Sequence, residues 1–129
     1  MSGKVLLDTN IVIALFAGET GVIEKLAEAP SVFIPVITVG ELYYGACKSY
    51  NKRRNLDKIE EFAARSAILV CDERTARYYG GIKDSLRAKG KPLPENDVWI
   101  AALACQHKMM LITRDAHFLE IEGVKVASW

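Results

Sequence analysis

The apolar runs of this 129-residue chain are short and nearly unbroken, not alternating with polar residues. They are Val5–Leu7, Ser31–Ile34, Ala67–Cys71, Met109–Thr113 and Val124–Ala127. A strand with one wet face alternates with period two, whereas a strand apolar on both sides must be covered on both. Longer stretches with helical period separate the runs: Asn10–Phe16, Val22–Ala29, Val36–Tyr50, Lys52–Arg65, Asp72–Lys89 and Glu95–His107, with a short helical turn at Ala116–Glu120. On Val36–Tyr50 the period puts Val36, Val39, Gly40, Tyr43 and Cys47 on one face. Alternating strand and helix with doubly covered strands predicts a three-layer α/β/α fold around a mainly parallel sheet of about five strands. The length predicts a single domain, residues 1–129.

Four carboxylates break this pattern. Asp8 ends the run Lys4-Val5-Leu6-Leu7, and Asp115 closes Met109 to Arg114. Glu41 interrupts the apolar stretch Val36 to Ala46, and Asp97 opens Val98 to Ala104. Ionised carboxylates are rarely buried without a partner. In open parallel sheets ligands bind beyond the carboxyl ends of the strands. Asp8 and Asp115 follow strands and project at that edge, and helices carrying Glu41 and Asp97 can overhang it.

Each acid has a simpler reading as a helix cap. Asp8-Thr9-Asn10 can cap the next helix, and Thr38 with Glu41 has capping-box spacing. Asp97 suits a first helical turn, although Asn96 is the better N-cap, and Asp115 can cap the turn that follows it. Taken together, the four acids demand more than caps. Two unit charges about 4 Å apart repel by about 4 kcal/mol at an effective dielectric of about 20. Four in one place therefore call for a cation, and hard oxygen ligands suit Mg²⁺ or Mn²⁺. His117 reads as structural, since two histidines without zinc spacing make no zinc site.

Composition excludes several classes. Charged residues make up 26 %, too few for a disordered chain, and no apolar run approaches membrane-spanning length. The three cysteines, Cys47, Cys71 and Cys105, are odd in number, widely spaced and set among apolar residues. They read as buried thiols in a reducing compartment, and with no signal peptide in view the expected location is the cytoplasm. Beyond the four acids, 17 Lys and Arg face 12 acidic residues. A mildly basic surround suits a polyanion whose phosphates meet metal in an acidic pocket. Lys48, Lys52, Arg53 and Arg54 form one basic group, and Arg114 stands next to Asp115.

The segments Val5-Leu6-Leu7-Asp8-Thr9-Asn10, Ile37-Thr38-Val39-Gly40-Glu41-Leu42, Asn96-Asp97-Val98-Trp99-Ile100-Ala101-Ala102 and Leu111-Ile112-Thr113-Arg114-Asp115-Ala116-His117-Phe118 occur in this order. In that order they resemble the PIN-domain nucleases, and within them the VapC-type toxins of prokaryotic toxin–antitoxin pairs. The resemblance covers essentially the whole chain. It implies a site of Asp8, Glu41, Asp97 and Asp115 binding Mg²⁺ or Mn²⁺, with Asp8, Glu41 and Asp97 as principal ligands. It implies that Thr9, Asn10, Asn96 and Thr113 orient carboxylates or water and that the reaction is endonucleolytic hydrolysis of RNA. Arg114, adjacent to Asp115 at this edge, is placed either to contact an RNA phosphate or to offset the local negative charge. It also implies a homodimer and a VapB-type antitoxin, for which the apolar surface near Leu42, Tyr43 and Tyr44 is one docking place.

Three rivals remain at this level. A receiver-like phosphoacceptor domain shares the length, the parallel sheet and an acidic Mg²⁺ site, with Asp72 as phosphoacceptor. A haloacid-dehalogenase-like phosphatase requires a second Asp two positions after the first, where this chain has Asn10. An inert binding module would use the four acids as caps only.

Overall fold

A computed structural model describes residues 3–129. The elements run β1 (Lys4–Leu7), α1 (Thr9–Phe16), α2 (Thr20–Glu28), β2 (Ser31–Pro35), α3 (Val36–Cys47), α4 (Lys52–Ala64), β3 (Ala67–Leu69), α5 (Glu73–Ala88), α6 (Glu95–His107), β4 (Met110–Ile112), a 3-10 turn (Ala116–Glu120) and β5 (Val126–Ala127). The five strands form one sheet in the order β3-β2-β1-β4-β5, and all four pairings are parallel. Helices cover both faces, as the doubly apolar strands require.

Successive residues of the central strands serve opposite layers. Leu6 and Leu111 pack with Leu86, Val98, Ile100, Leu103 and Phe118 from the α5–α6 side. Leu7 and Ile112 pack with Ile11, Val12, Val22, Leu42 and Ile59 from the α1–α4 side. Helix α6 is buried along Val98 and Ile100–Ala104, which explains an apolar run with no single polar face. No helix among the described residues is long and apolar enough to cross a membrane.

The strand order fixes where a ligand site can lie. From β1 the chain builds outward through β2 and β3, then returns to place β4 on the other side of β1. The carboxyl ends of β1 and β4 therefore flank the topological switch point. The Asp8 backbone N–H continues the ladder by donating to the Ile112 carbonyl at 2.9 Å.

Some details differ from the sequence reading. Helix α3 buries Thr38, Val39, Leu42 and Ala46, while Val36, Gly40 and Cys47 are exposed. Apolar residues surround this helix, so its pattern admits more than one stripe, and packing chooses the one facing α4, α1 and the sheet. Cys47 and Cys71 are exposed and Cys105 is half-buried, all three as free thiols, so the expected burial holds for none of them fully. Edge strand β3 stops at Leu69, leaving Val70 64 % exposed. Helix α5 starts on a capping box in which Asp72 accepts from the Thr75 backbone N–H and Thr75 accepts from that of Asp72. It ends where Gly90 takes φ +68°, a left-handed conformation that costs a residue with a Cβ roughly 1–2 kcal/mol. Gly90→Ala is expected to lower stability by about that amount in urea denaturation, whereas a Cβ at Gly80, within α5, meets nothing within 4 Å and carries no such penalty.

Candidate active site

Asp8 leaves β1 buried, with 5 % exposure, because the chain turns at once into α1. It does cap that helix: its Oδ1 accepts from the Thr9 backbone N–H at 2.8 Å. The cap engages one oxygen only. Oδ2 accepts from the Thr113 hydroxyl at 2.7 Å and from the Asn10 amide at 3.3 Å. Thr113, 2 % exposed, is the residue directly after β4, so a side chain from one flank of the switch point holds a carboxylate on the other. The same hydroxyl oxygen accepts from the Asp115 backbone N–H at 3.0 Å.

Glu41 projects from the middle of α3. Thr9 donates to its Oε1 at 2.6 Å, and the Asn96 amide donates to its Oε2 at 3.4 Å. Thr38 is no N-cap, because Pro35 holds that position and Thr38 lies buried in the helix. Its hydroxyl oxygen lies 3.3 Å from that of Thr9 and 3.5 Å from the Leu7 carbonyl, fastening α3 to the end of β1. The sequence reading credited Thr38 only with capping. Asn96 is likewise not a cap: α6 begins after Pro94 without a side-chain cap, which leaves the Asn96 amide to Glu41.

Asp97, in the first turn of α6, is half-buried. Its carboxyl is pushed up to about 6, first by burial and then by the charges of Asp8, Asp115 and Glu41, with His117 opposing. Burial also raises Asp8, against the Thr113 and Thr9 hydrogen bonds that lower it, and Glu41 and Asp115 add to the rise. The four carboxylates thus share one electrostatic neighbourhood although they come from four separate stretches. Asp115 caps the 3-10 turn by accepting from the His117 backbone N–H at 2.9 Å, and His117 Nδ1 lies 2.9 Å from Asp115 Oδ1.

Among the described residues, no three His, Cys, Asp or Glu side chains converge closely enough to ligate one ion as they stand. The donor set still fits Mg²⁺ or Mn²⁺. All four donors are hard carboxylates, Glu41 and Asp115 add to the rise in proton affinity of Asp8 and Asp97, and Mg²⁺ commonly takes only one or two carboxylates and keeps several waters.

Arg114 points elsewhere. Its guanidinium makes a two-pronged pair with Glu19 at 2.7 and 3.2 Å and donates through Nε to the Trp129 carbonyl at 3.1 Å. Its backbone N–H donates to Asn10 Oδ1 at 3.1 Å. Nothing local in the sequence signals the Glu19 partner.

The raised Asp97 sets a pH dependence for the metal-free chain. Unfolded, the carboxyl titrates near 3.8, and folded near 6. Between these values the folded state holds a proton that the unfolded state has lost, so stability falls as pH rises through the window. With a half-exposed group screened by solvent, the expected loss is about 1 kcal/mol between pH 4 and pH 7. Urea midpoints in chelator should fall across that window. Midpoints that rise steadily from pH 4 to pH 7 would refute the assignment.

The receiver reading fails on topology. Receiver sheets run 2-1-3-4-5, whereas this sheet runs 3-2-1-4-5. Asp72 is also committed to helix α5, accepting from Thr75 and from the Gln106 amide at 3.1 Å.

Known proteins share this fold and sequence pattern over nearly the whole chain. The sequence model of the PIN domain family matches residues 5–124. Ribonuclease VapC2 from Haemophilus influenzae is 36 % identical over 131 aligned residues, covering 98 % of each chain. The tRNA(fMet)-specific endonuclease VapC from Salmonella typhimurium is 32 % identical, again over 98 % of each. DNA-bound VapBC from Salmonella typhimurium superposes with a TM-score of 0.90 at 31 % identity, covering 98 % of both chains. VapBC2 from Rickettsia felis, bound to a promoter DNA fragment, gives 0.89 at 29 % identity and the same coverage. With the sheet order, the switch-point carboxylates and a match over nearly its full length, the chain belongs to the PIN-domain family, in its VapC-type branch.

Proposed function

We propose that this protein is a metal-dependent endoribonuclease, the toxin of a toxin–antitoxin pair. The observation that carries the reading is the neighbourhood of Asp8, Glu41, Asp97 and Asp115 around the switch point, where three carboxylate charges act on the half-buried fourth. The names of the relatives support it: several are VapC ribonucleases, and one acts on tRNA(fMet).

Asp8, Glu41 and Asp97 would hold Mg²⁺ or Mn²⁺, with Asp115 assisting. When bound, such an ion polarises a phosphoryl oxygen and makes water a nucleophile near neutral pH. The chain itself supplies position. Thr113 and Asn10 fix the Asp8 carboxylate, Thr9 and Asn96 fix that of Glu41, and Asp115 is set by its own turn. Of the four acids, Asp97 has the fewest fixing contacts among the described residues, which leaves its carboxylate free to ligate the ion or to hold the water beside the phosphorus.

The solved relatives are VapBC complexes on DNA. By that likeness a VapB-type antitoxin covers this toxin, and the chain pairs as a homodimer. An acidic pocket favours an antitoxin that presents a basic side chain.

The test is incubation of the purified protein with total bacterial RNA. Discrete cleavage products are expected with Mg²⁺ or Mn²⁺ and none with EDTA. Cleavage that continues undiminished in EDTA would reject metal dependence, and no cleavage with either ion would reject the nuclease reading.

A further inference from the structure

Helix α3 carries a second feature beside Glu41. A cavity of about 680 Å³ opens along the helix and is lined by Ile37, Gly40, Glu41, Tyr44, Lys48 and Asn96, among others. It shares Glu41 and Asn96 with the acidic site, so whatever occupies it runs directly into that site. Tyr44 is 67 % exposed, so its ring is open to a ligand beside the acidic site. The Lys48 ammonium lies over this ring, 4.7 Å from its centroid. Among the described residues Lys48 has no carboxylate partner, whereas Arg53, Arg65, Arg77, Arg87 and Arg114 each have one. An added Cβ at Gly40 or Gly45 meets nothing within 4 Å, so the groove beside the ring is open.

An exposed aromatic ring and a cation whose recorded partner is that ring rather than a carboxylate, one helical turn apart, match the two recognisable parts of a single-stranded nucleotide. A base stacks on the ring, and its phosphate meets the ammonium. Resting on the ribonuclease reading, we propose that Tyr44 and Lys48 form a subsite that binds one unpaired nucleotide of the RNA next to the scissile phosphate. Tyr44 supplies the stacking surface, Lys48 neutralises a backbone phosphate, and the bare α3 backbone at Gly40 leaves room for the ribose. Both side chains are positioning residues: they touch the substrate away from the reacting phosphorus and act on affinity more than on the chemical step.

The test uses total bacterial RNA and Mg²⁺, with KM and kcat measured separately. Tyr44→Ala should raise KM about tenfold or more at nearly unchanged kcat, and Tyr44→Phe should stay within about twofold of wild type, since stacking on one base is worth that much and needs no hydroxyl. Lys48→Gln should raise KM and reduce the salt dependence of binding by about one phosphate contact. Gly40→Gln should fill the groove and raise KM without lowering the melting temperature. Thermal melts of Tyr44→Ala should match wild type, because the position is exposed. Wild-type KM in both Tyr44→Ala and Gly40→Gln would overturn the subsite while leaving the ribonuclease reading intact. Wild-type KM with weakened inhibition by antitoxin would also overturn it, assigning the groove to the protein partner. No cleavage by the wild-type chain would overturn both readings at once.

Discussion

Asp97→Asn is expected to lower kcat for RNA cleavage by roughly a hundredfold or more, because loss even of the partners that orient a metal ligand commonly costs 10–100-fold. The same substitution is expected to stabilise the metal-free protein above pH 6. Burial and three neighbouring carboxylates disfavour the charge that Asn removes, and the amide preserves the shape. A residue that costs stability and supports activity behaves as a functional group, not a cap. Urea midpoints at pH 7.5 in EDTA, together with cleavage rates in Mg²⁺, read both effects. A variant that cleaves at the wild-type rate removes Asp97 from the site, and one that is active but less stable makes it a cap. Asp8→Asn should be equally inactive but should gain less stability, because its carboxylate already accepts three hydrogen bonds that favour the charged form.

Thr113→Val is expected to be nearly as damaging, by a different route. Valine keeps the volume but cannot donate to Asp8 Oδ2, nor accept from the Asp115 backbone N–H. With Asp8 only 5 % exposed, water replaces that donor poorly, and the expected cost is about 1–3 kcal/mol. Activity should fall about 10–100-fold as Asp8 loses its orientation. Thr113→Ser, which keeps the hydroxyl, should recover most of both. If Val and Ser variants are equally active, the hydroxyl has no positioning role.

The architecture was legible because parallel strands are covered on both faces and advertise it as unbroken apolar runs. Asp8 and Asp115 were legible for the same reason, as charges directly after such runs. Thr9 and Asn96 donate to Glu41, and Asn10 and Thr113 to Asp8; the family resemblance, not any local pattern, had singled these four out as orienting groups. Features that depend on choosing among equivalent surfaces were not legible. Helix α3 is apolar on several sides, and only packing against α4, α1 and the sheet selects Thr38, Val39, Leu42 and Ala46 for burial. The cysteines sat among apolar residues in the sequence, yet Cys47 on α3 and Cys71 beyond β3 are exposed and only Cys105 on α6 is half-buried. Arg114 and Glu19 are 95 residues apart, and no local pattern reports such a pair. The Thr38–Glu41 spacing imitated a cap because capping boxes and i, i+3 neighbours inside a helix share one spacing.

The insertion of β1 between β2 and β4 has a kinetic consequence. Leu7 pairs with Ile112, so the strand that starts the fold is completed by one more than a hundred residues later. Such distant pairing makes assembly slow and late, because the long intervening chain must be ordered before the contact forms. During synthesis Asp8 and Glu41 emerge well before Asp97, Thr113 and Asp115. A nascent or truncated chain can shelter hydrophobic surface around α1–α4 without possessing a working cluster. Competence therefore waits for β4 to dock beside β1 and bring Thr113 to Asp8, and whatever restrains the folded chain has that interval in which to be made.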